Sequence, residues 1–270
     1  MDSALASKIY QINTRFGLDV KTNVNHWFVW CGKDENGNQD FGAQARLEEK
    51  YGIGMDASYA FYDMNSNQPE HYLGSLGKNQ GNYTGSGLIM NFADVNGRTV
   101  NVYQRYNAIY DQQYNESHDP EGFFGAFKGL VDRSLYDDIY SVVSIKAHNN
   151  EYYFSKKPLM KMLEYANAKD IPVWTALNLL DFLKMKDEAT FTNFSWSNSS
   201  LSFRLNSSLT HSNGLTFMIP VMYGNKRILS ITKDGEKTSF SIRKVKSIDY
   251  AFITVQGGLN YEFMITYHKI

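Results

Sequence analysis

The sequence predicts an α/β region reaching to about residue 187, followed by an all-β region from about 190 to 270. Three observations predict it. Residues 140–187 alternate a short apolar run, a helical pattern, a second short run and a second helical pattern, with brief connections; this β-α-β-α order implies parallel strands covered by helices. After Ala189 the apolar period changes to two: Leu201, Phe203 and Leu205 alternate with polar residues, as do Leu215, Phe217, Ile219 and Val221, and Tyr261, Phe263, Ile265 and Tyr267. Asp234-Gly235 and Gly257-Gly258 punctuate these runs as turns, the texture of a β-sandwich.

Taken in order, the chain opens on a helix. Ser3 can cap it, Leu5, Ile9 and Ile12 share a face, and Gly17 stands where it would stop. Trp27 to Trp30 suits a buried strand, 32–40 a loop, Ala43 to Tyr51 a helix closed by Gly52, and Gly54 to Tyr62 a strand. Residues 63–87 form a long turn-rich loop. Leu88 to Phe92 and Thr99 to Tyr103 pair across Asp94-Val95-Asn96-Gly97, a hairpin signal. Asp119-Pro120-Glu121 starts a helix with Phe124, Phe127, Val131 and Leu135 on one face. Tyr140 to Ala147 is predicted as a strand, Ser155 as the cap of the next helix, Ile171 to Trp174 as a strand, and Thr175 as the cap of the last helix. A chain that begins on a helix with this few βα units predicts an incomplete barrel with an unpaired sheet edge.

Composition bounds the function. The hydrophobic fraction of 43% is that of a globular protein. A net charge of -1 gives no electrostatic reason to expect nucleic acid. The single cysteine, Cys31, excludes an internal disulfide and a cysteine-built zinc site. No run is long enough for a membrane span, and the first eleven residues lack the pattern of a signal peptide. The aromatic fraction is high at 15%, which fits strand filling first and sugar-stacking platforms second.

In a (β/α) fold, chemistry collects at the carboxyl ends of the strands. His148 follows the apolar run Val142 to Ile145 and stands at such an end. His26 precedes the Trp27–Trp30 strand, and Asp56 and Asp63 flank the strand that carries Tyr59. Two acids in that relation are also the equipment of a glycoside hydrolase, an alternative left open here.

Several short stretches are held in common with one family. They are Asn25-His26-Trp27 with Val29-Trp30, Gly52-Ile53-Gly54-Met55-Asp56 with Tyr59, Thr84 to Gly87 leading to Asn91 to Asp94, Val102 to Gln104, Ala147-His148, Tyr165-Ala166 through Ile171 to Trp174, and Leu180-Asp181-Phe182. Together they resemble the distal part of the NodB-type polysaccharide deacetylases. The resemblance implies that residues 1–187 form a partial (β/α) barrel lacking its first strands, and that 190–270 form a β-sandwich beside it. It implies a carbohydrate substrate and an extracellular or cell-envelope setting. The implied chemistry is metal-assisted hydrolysis of acetyl groups on a glycan, in which a distal His protonates the leaving group.

By that resemblance His148 is the catalytic acid, and His26, Trp30, Asp56, Tyr59 and Trp174 are substrate contacts. The third family motif falls on Asn25-His26, with His where the family has Arg, and the fourth on Asp56 to Tyr62. The metal-binding Asp-Asp pair and paired-His motif have no counterpart, and the six histidines are widely spread. No metal ligand or cofactor is therefore assigned in this chain, and a zinc ion is expected only with ligands lying upstream. A glycan-binding or structural protein built on a degenerate barrel is the competing class. The β-region is expected to be a packing domain, because no exposed aromatic triad is visible in its pattern.

Overall fold

The computed structural model describes residues 2–25, 31–34, 36–58, 88–107, 109–115, 118–136 and 142–270. It is a mixed helix-and-sheet protein. The chain divides into two compact units, Met1–Leu177 and Asn178–Ile270.

In the first unit, α1 (Asp2–Phe16) ends at Gly17, which takes the left-handed conformation at φ 64°. Leu5, Ile9 and Ile12 are its partly covered positions, as the spacing predicts. Strand β1 (Thr22–Asn23) follows, then β2 (Gly32–Lys33) and β3 (Gln39–Asp40), which form a small hairpin where a loop was expected. Asp34 turns that hairpin by accepting the backbone N–H groups of Asn36 and Asn38. Helix α2 (Ala43–Lys50) leads to β4 (Met55–Asp56), and the hairpin of β5 (Met90–Ala93) and β6 (Thr99–Gln104) comes next. The turn residue Asp94 accepts the backbone N–H groups of Asn96 and Arg98, and Gly97 supplies the positive φ, as the sequence signal required.

The sheet order is β1-β4-β6-β5. β1, β4 and β6 run parallel, so their carboxyl ends lie together; β5 is the antiparallel edge. A separate parallel pair joins β7 (Ile109–Tyr110) to β8 (Ile145–Lys146). Between them lie α3 (Gln112–Asn115) and α4 (Pro120–Tyr136). Asp119 caps α4 by accepting the Gly122 N–H at 2.8 Å, as its sequence predicts. The buried stripe of α4 is Phe123, Ala126, Phe127, Leu130 and Val131, one position round from the expected face; Leu135 is exposed. That stripe packs against Met162 and Ala166 of α5 (Tyr152–Ala168).

Two expectations near α5 are corrected. Ser155 does not cap the helix, which begins three residues earlier at Tyr152; its hydroxyl is spent elsewhere. Residues 171–174 form no strand. The helix ends at Ala168; Asp170, just beyond its cap, takes φ 54°, and the Ile171 N–H closes on the Ala166 carbonyl. Ile171 packs on the α4–α5 core, and no described strand lies beside it to make a ladder. The predicted strand at 27–30 and the loop at 63–87 lie outside the described residues; of the predicted strand Gly54 to Tyr62, Met55–Asp56 forms β4 and residues 59–62 lie outside them.

The second unit opens with α6 (Ala176–Glu188), whose Met185 enters the β-core. A six-stranded sheet is built from β9 (Thr190–Ser197), β10 (Ser200–Asn206), β12 (Met222–Tyr223), β13 (Lys226–Lys233), β14 (Glu236–Lys237) and β17 (Asn260–Lys269). A three-stranded sheet is built from β11 (Leu215–Pro220), β15 (Ser241–Val245) and β16 (Ile248–Val255). The alternating residues of both sheets meet in one core: Phe203, Leu205, Phe263 and Ile265 from the first, Phe217, Ile219, Ile253 and Val255 from the second. Period-two patterning has placed each apolar set on the inner face, giving a β-sandwich.

Glu188, at the end of α6, fixes the helix to this sandwich. Its Oε1 accepts the Ser207 hydroxyl at 2.8 Å and the N–H groups of Ser208 at 2.7 Å and Leu209 at 3.0 Å; Oε2 accepts the Ser208 hydroxyl at 3.0 Å. Those donors, the Leu209 N–H first, hold its carboxyl below the usual range. Gly257 closes the same corner: a Cβ there would stand 2.5 Å from both the Leu209 carbonyl oxygen and the Met185 sulfur. Glu188→Ala leaves two turn N–H groups without their acceptor. It is expected to lower stability by about 1–3 kcal/mol, measured by urea unfolding, with Glu188→Gln losing less.

Candidate functional site

The parallel strand pair β7–β8 presents its carboxyl end through two side chains. Asp111 follows β7 directly and is wholly buried, and its N–H donates to the Lys146 carbonyl at 3.1 Å. His148 lies two residues past β8, where the one-turn 3₁₀ helix Asn149–Glu151 begins. Asp111 Oδ1 and His148 Nδ1 are 2.6 Å apart. Asp111 Oδ2 accepts the His148 backbone N–H at 2.6 Å and the Ser155 hydroxyl at 2.7 Å. The tautomer of His148 in which Nδ1 carries the hydrogen is the one that lets the Asp111 carboxylate accept all three contacts. Nε2 has no hydrogen bond among the described residues, and the side chain is 24% exposed. Lys146 stands near the same carboxylate; burial pulls its ammonium down and the Asp111 charge pulls it back up.

The carboxyl ends of β1, β4 and β6 hold a second polar cluster. Asp56 and Glu48 are both without exposure. Glu48 Oε1 accepts the amides of Asn23 at 2.8 Å and Gln44 at 2.9 Å, while Oε2 has no partner among the described residues. Asp56 Oδ1 accepts the Ser58 N–H at 2.7 Å, while Oδ2 has none among them. Burial pushes Glu48 up to about 7, and the charge of Asp56 adds to the rise. Burial pushes Asp56 up to about 6 against the opposing bonds of Ser58. Two adjacent buried carboxylates with a bare oxygen each are cheapest to hold when protonated.

These two clusters are joined by Asn107. Its amide donates to the Ala57 carbonyl beside Asp56, and its Oδ1 accepts Arg105 Nη2 at 3.0 Å and the Ser144 hydroxyl at 3.3 Å, just before β8. No hydrogen bond joins Asp56 to His148 among the described residues. Asp56 is an interior acid without exposure in this structure, and Asp63, the other acid of the glycosidase alternative, lies outside the described residues. Trp174 is half-buried on the connection before α6, not on a strand. His26, Trp30, Tyr59 and Asp63 lie outside the described residues.

Sequence reasoning found His148 and missed Asp111 and Ser155. Asp111 follows a strand of two residues, too short for a periodic signal. Ser155 looked like a cap because a serine before a helical pattern usually is one.

The resemblance implies a zinc ion, so the donor set decides whether one fits. Among the described residues no three His, Cys, Asp or Glu side chains converge. Asp111, the carboxylate beside His148, has both oxygens committed. The described residues do not fit such a site, and no step below runs through a metal. No protein-family model and no curated protein matches this chain. Among the described residues no helix is long and apolar enough to cross a membrane.

The Glu48–Asp56 pair makes a stability prediction with a definite sign. Glu48 rises from 4.5 unfolded to about 7 folded, so the folded chain binds the extra proton between those values. Stability is then full below about pH 4.5 and falls as pH rises toward 7. Glu48→Gln is expected to match the parent at pH 4.5 and exceed it at pH 8 by on the order of 2–3 kcal/mol, read by urea unfolding at both values.

Proposed function

We propose that the first unit is a carbohydrate-active, hydrolase-like domain of the NodB deacetylase type, acting on acetylated glycans outside the cell or in its envelope, with His148 as its proton-transfer residue. The buried Asp111 carboxylate gripping His148 at the carboxyl end of a parallel strand pair is the observation that carries this reading. A carboxylate on Nδ1 does three things for an imidazole. It selects the tautomer, fixes the ring plane, and stabilises the imidazolium once formed. As water adds to the acetyl carbon and the acyl bond breaks, Nε2 delivers its proton to the leaving nitrogen or oxygen, acetate departs, and the neutral ring regains a proton from solvent. Positioned transfer of this kind is worth roughly 10²- to 10⁴-fold in rate. Ser155 and the Glu151 turn keep the pair in register: Asn115 and Asn150 both donate to the Glu151 carboxylate, whose backbone N–H donates to the His148 carbonyl at 3.2 Å.

The absence of three converging ligands among the described residues favours a second reading, a glycan-binding protein on a degenerate barrel. The two readings part on turnover. The hydrolase reading expects acetate release from acetylated xylan or acetylated chitooligosaccharides. His148→Asn should lower that rate by about two orders of magnitude, and Asp111→Asn should shift its pH profile, with melting temperatures checked for each. Acetate release unchanged in a folded His148→Asn chain would remove the catalytic role, and no release from the parent on any acetylated glycan would favour the second reading.

A further inference from the structure

The second unit carries a row of exposed aromatic rings that its packing does not explain. In β9, Trp196 pairs opposite Leu201 and Phe191 opposite Leu205, and partners across a ladder share a face. Both rings therefore point to the core side of the sheet. Yet Phe191 is 44% exposed, Phe194 64% and Trp196 43%, and Tyr223 beside them is 58% exposed. β9 is the edge strand of its sheet, and every one of its residues is exposed.

The rings are backed by a second, buried layer. Trp196 lies 4.6 Å from Tyr223 and 5.6 Å from Tyr267 between ring centres. Phe194 lies 5.8 Å from Phe203, and Phe191 meets Phe203 edge-on at 5.5 Å and Phe217 at 5.7 Å. Phe203 in turn stacks on Phe263 at 5.4 Å, and the Tyr267 hydroxyl is anchored on the Pro220 carbonyl at 3.1 Å. The exposed rings are thus pre-set by buried ones, which lowers the entropy cost of binding on them.

We infer that Phe194, Trp196 and Tyr223 form a stacking platform for an uncharged glycan chain. The composition of the strip selects the ligand. Thr190-Phe-Thr-Asn-Phe-Ser-Trp-Ser197 holds no charged residue, and hydroxyls and an amide alternate with the rings. The match in charge is to a neutral, hydroxyl-bearing chain, whose C–H faces lie on the rings while its hydroxyls meet Ser and Thr. Strand addition from a peptide is disfavoured at the same edge: the β9–β10 register breaks at Ser202/Arg204, and Asn193 takes φ 55°, so β9 does not offer an even ladder. The inference rests on the second unit alone and stands whether or not His148 is catalytic.

Affinity electrophoresis of the full chain tests it, in native gels containing hydroxyethylcellulose, glucomannan or xylan, with alginate as an anionic comparison. At least one neutral polysaccharide is expected to retard the chain, and alginate not to. Trp196→Ala is expected to weaken that retardation about tenfold or more. Phe194→Ser and Tyr223→Ala remove rings that are mostly in solvent, keep the melting temperature, and should each weaken it several-fold. His148→Asn should bind as the parent does, so loss of turnover and loss of binding separate. Free migration in all three neutral gels, or retardation unchanged in the three ring variants, would overturn the platform. Concentration-dependent self-association abolished by Tyr223→Ala, without polysaccharide binding, would assign the strip to a second copy of the chain and overturn it equally.

Discussion

One buried carboxylate organises the functional end of the first unit. Asp111 has no solvent to satisfy it, so its charge has to be answered by protein donors. Those donors come from His148, both backbone and ring, and from Ser155 in the first turn of α5. The Asp111 carbonyl also accepts the N–H groups of Tyr114 and Asn115, which starts α3. A single residue thus ties the end of β7, the loop after β8, and two helices. Two parallel strands of two residues each make a weak ladder by themselves. The carboxylate supplies the directional bonds that short strands lack.

Glu48 and Asp56 show the opposite solution to the same physical problem. They are as deeply buried as Asp111, but each keeps one oxygen without a donor among the described residues. Arg105 is no remedy: it is half-buried, its backbone N–H donates to the Asp56 carbonyl, its Nε has no partner among the described residues, and desolvation pulls its affinity for a proton down. The chain tolerates them by making protonation favourable, the regime in which a carboxyl behaves as a neutral hydrogen-bonding group. A fully bonded acid orients a neighbour; a half-bonded acid responds to pH. The distinction separates Asp111 from Asp56 more sharply than their shared position near strand ends, which is all that sequence could use.

What sequence revealed follows from the length over which a signal repeats. The second unit was legible because strands such as β10, β11 and β17 run six to ten residues, long enough for alternation to declare the buried face. The hairpin at Asp94–Gly97 and the Asp119 cap were legible because turn and cap chemistry is local. Strands β1, β4, β7 and β8 span two residues each, and no period can be read from two residues. The 171–174 run looked like a strand from its composition alone, yet a strand exists only with a partner to pair with. His148 was visible because it follows an apolar run, whereas its partner lies 37 residues away in sequence.

The aromatic strip exposes a further limit of pattern reading. No alternation was read at 190–197, where the left-handed Asn193 and the bulge shift the phase of β9 partway along. Phe191, Phe194 and Trp196 do not fall at even spacing, yet the bulge returns all three to one side. The second sheet is three strands wide against the six of the first, so the rings at the β9 edge are only partly covered. An edge left open in this way is ordinarily a liability, and charge or proline is the usual guard. Here neither is present in the strand, and hydroxyl and amide side chains stand between the rings instead. That choice keeps the edge wettable without charge, and a wettable, uncharged, rigid row of rings is suited to a surface that is itself hydroxylated.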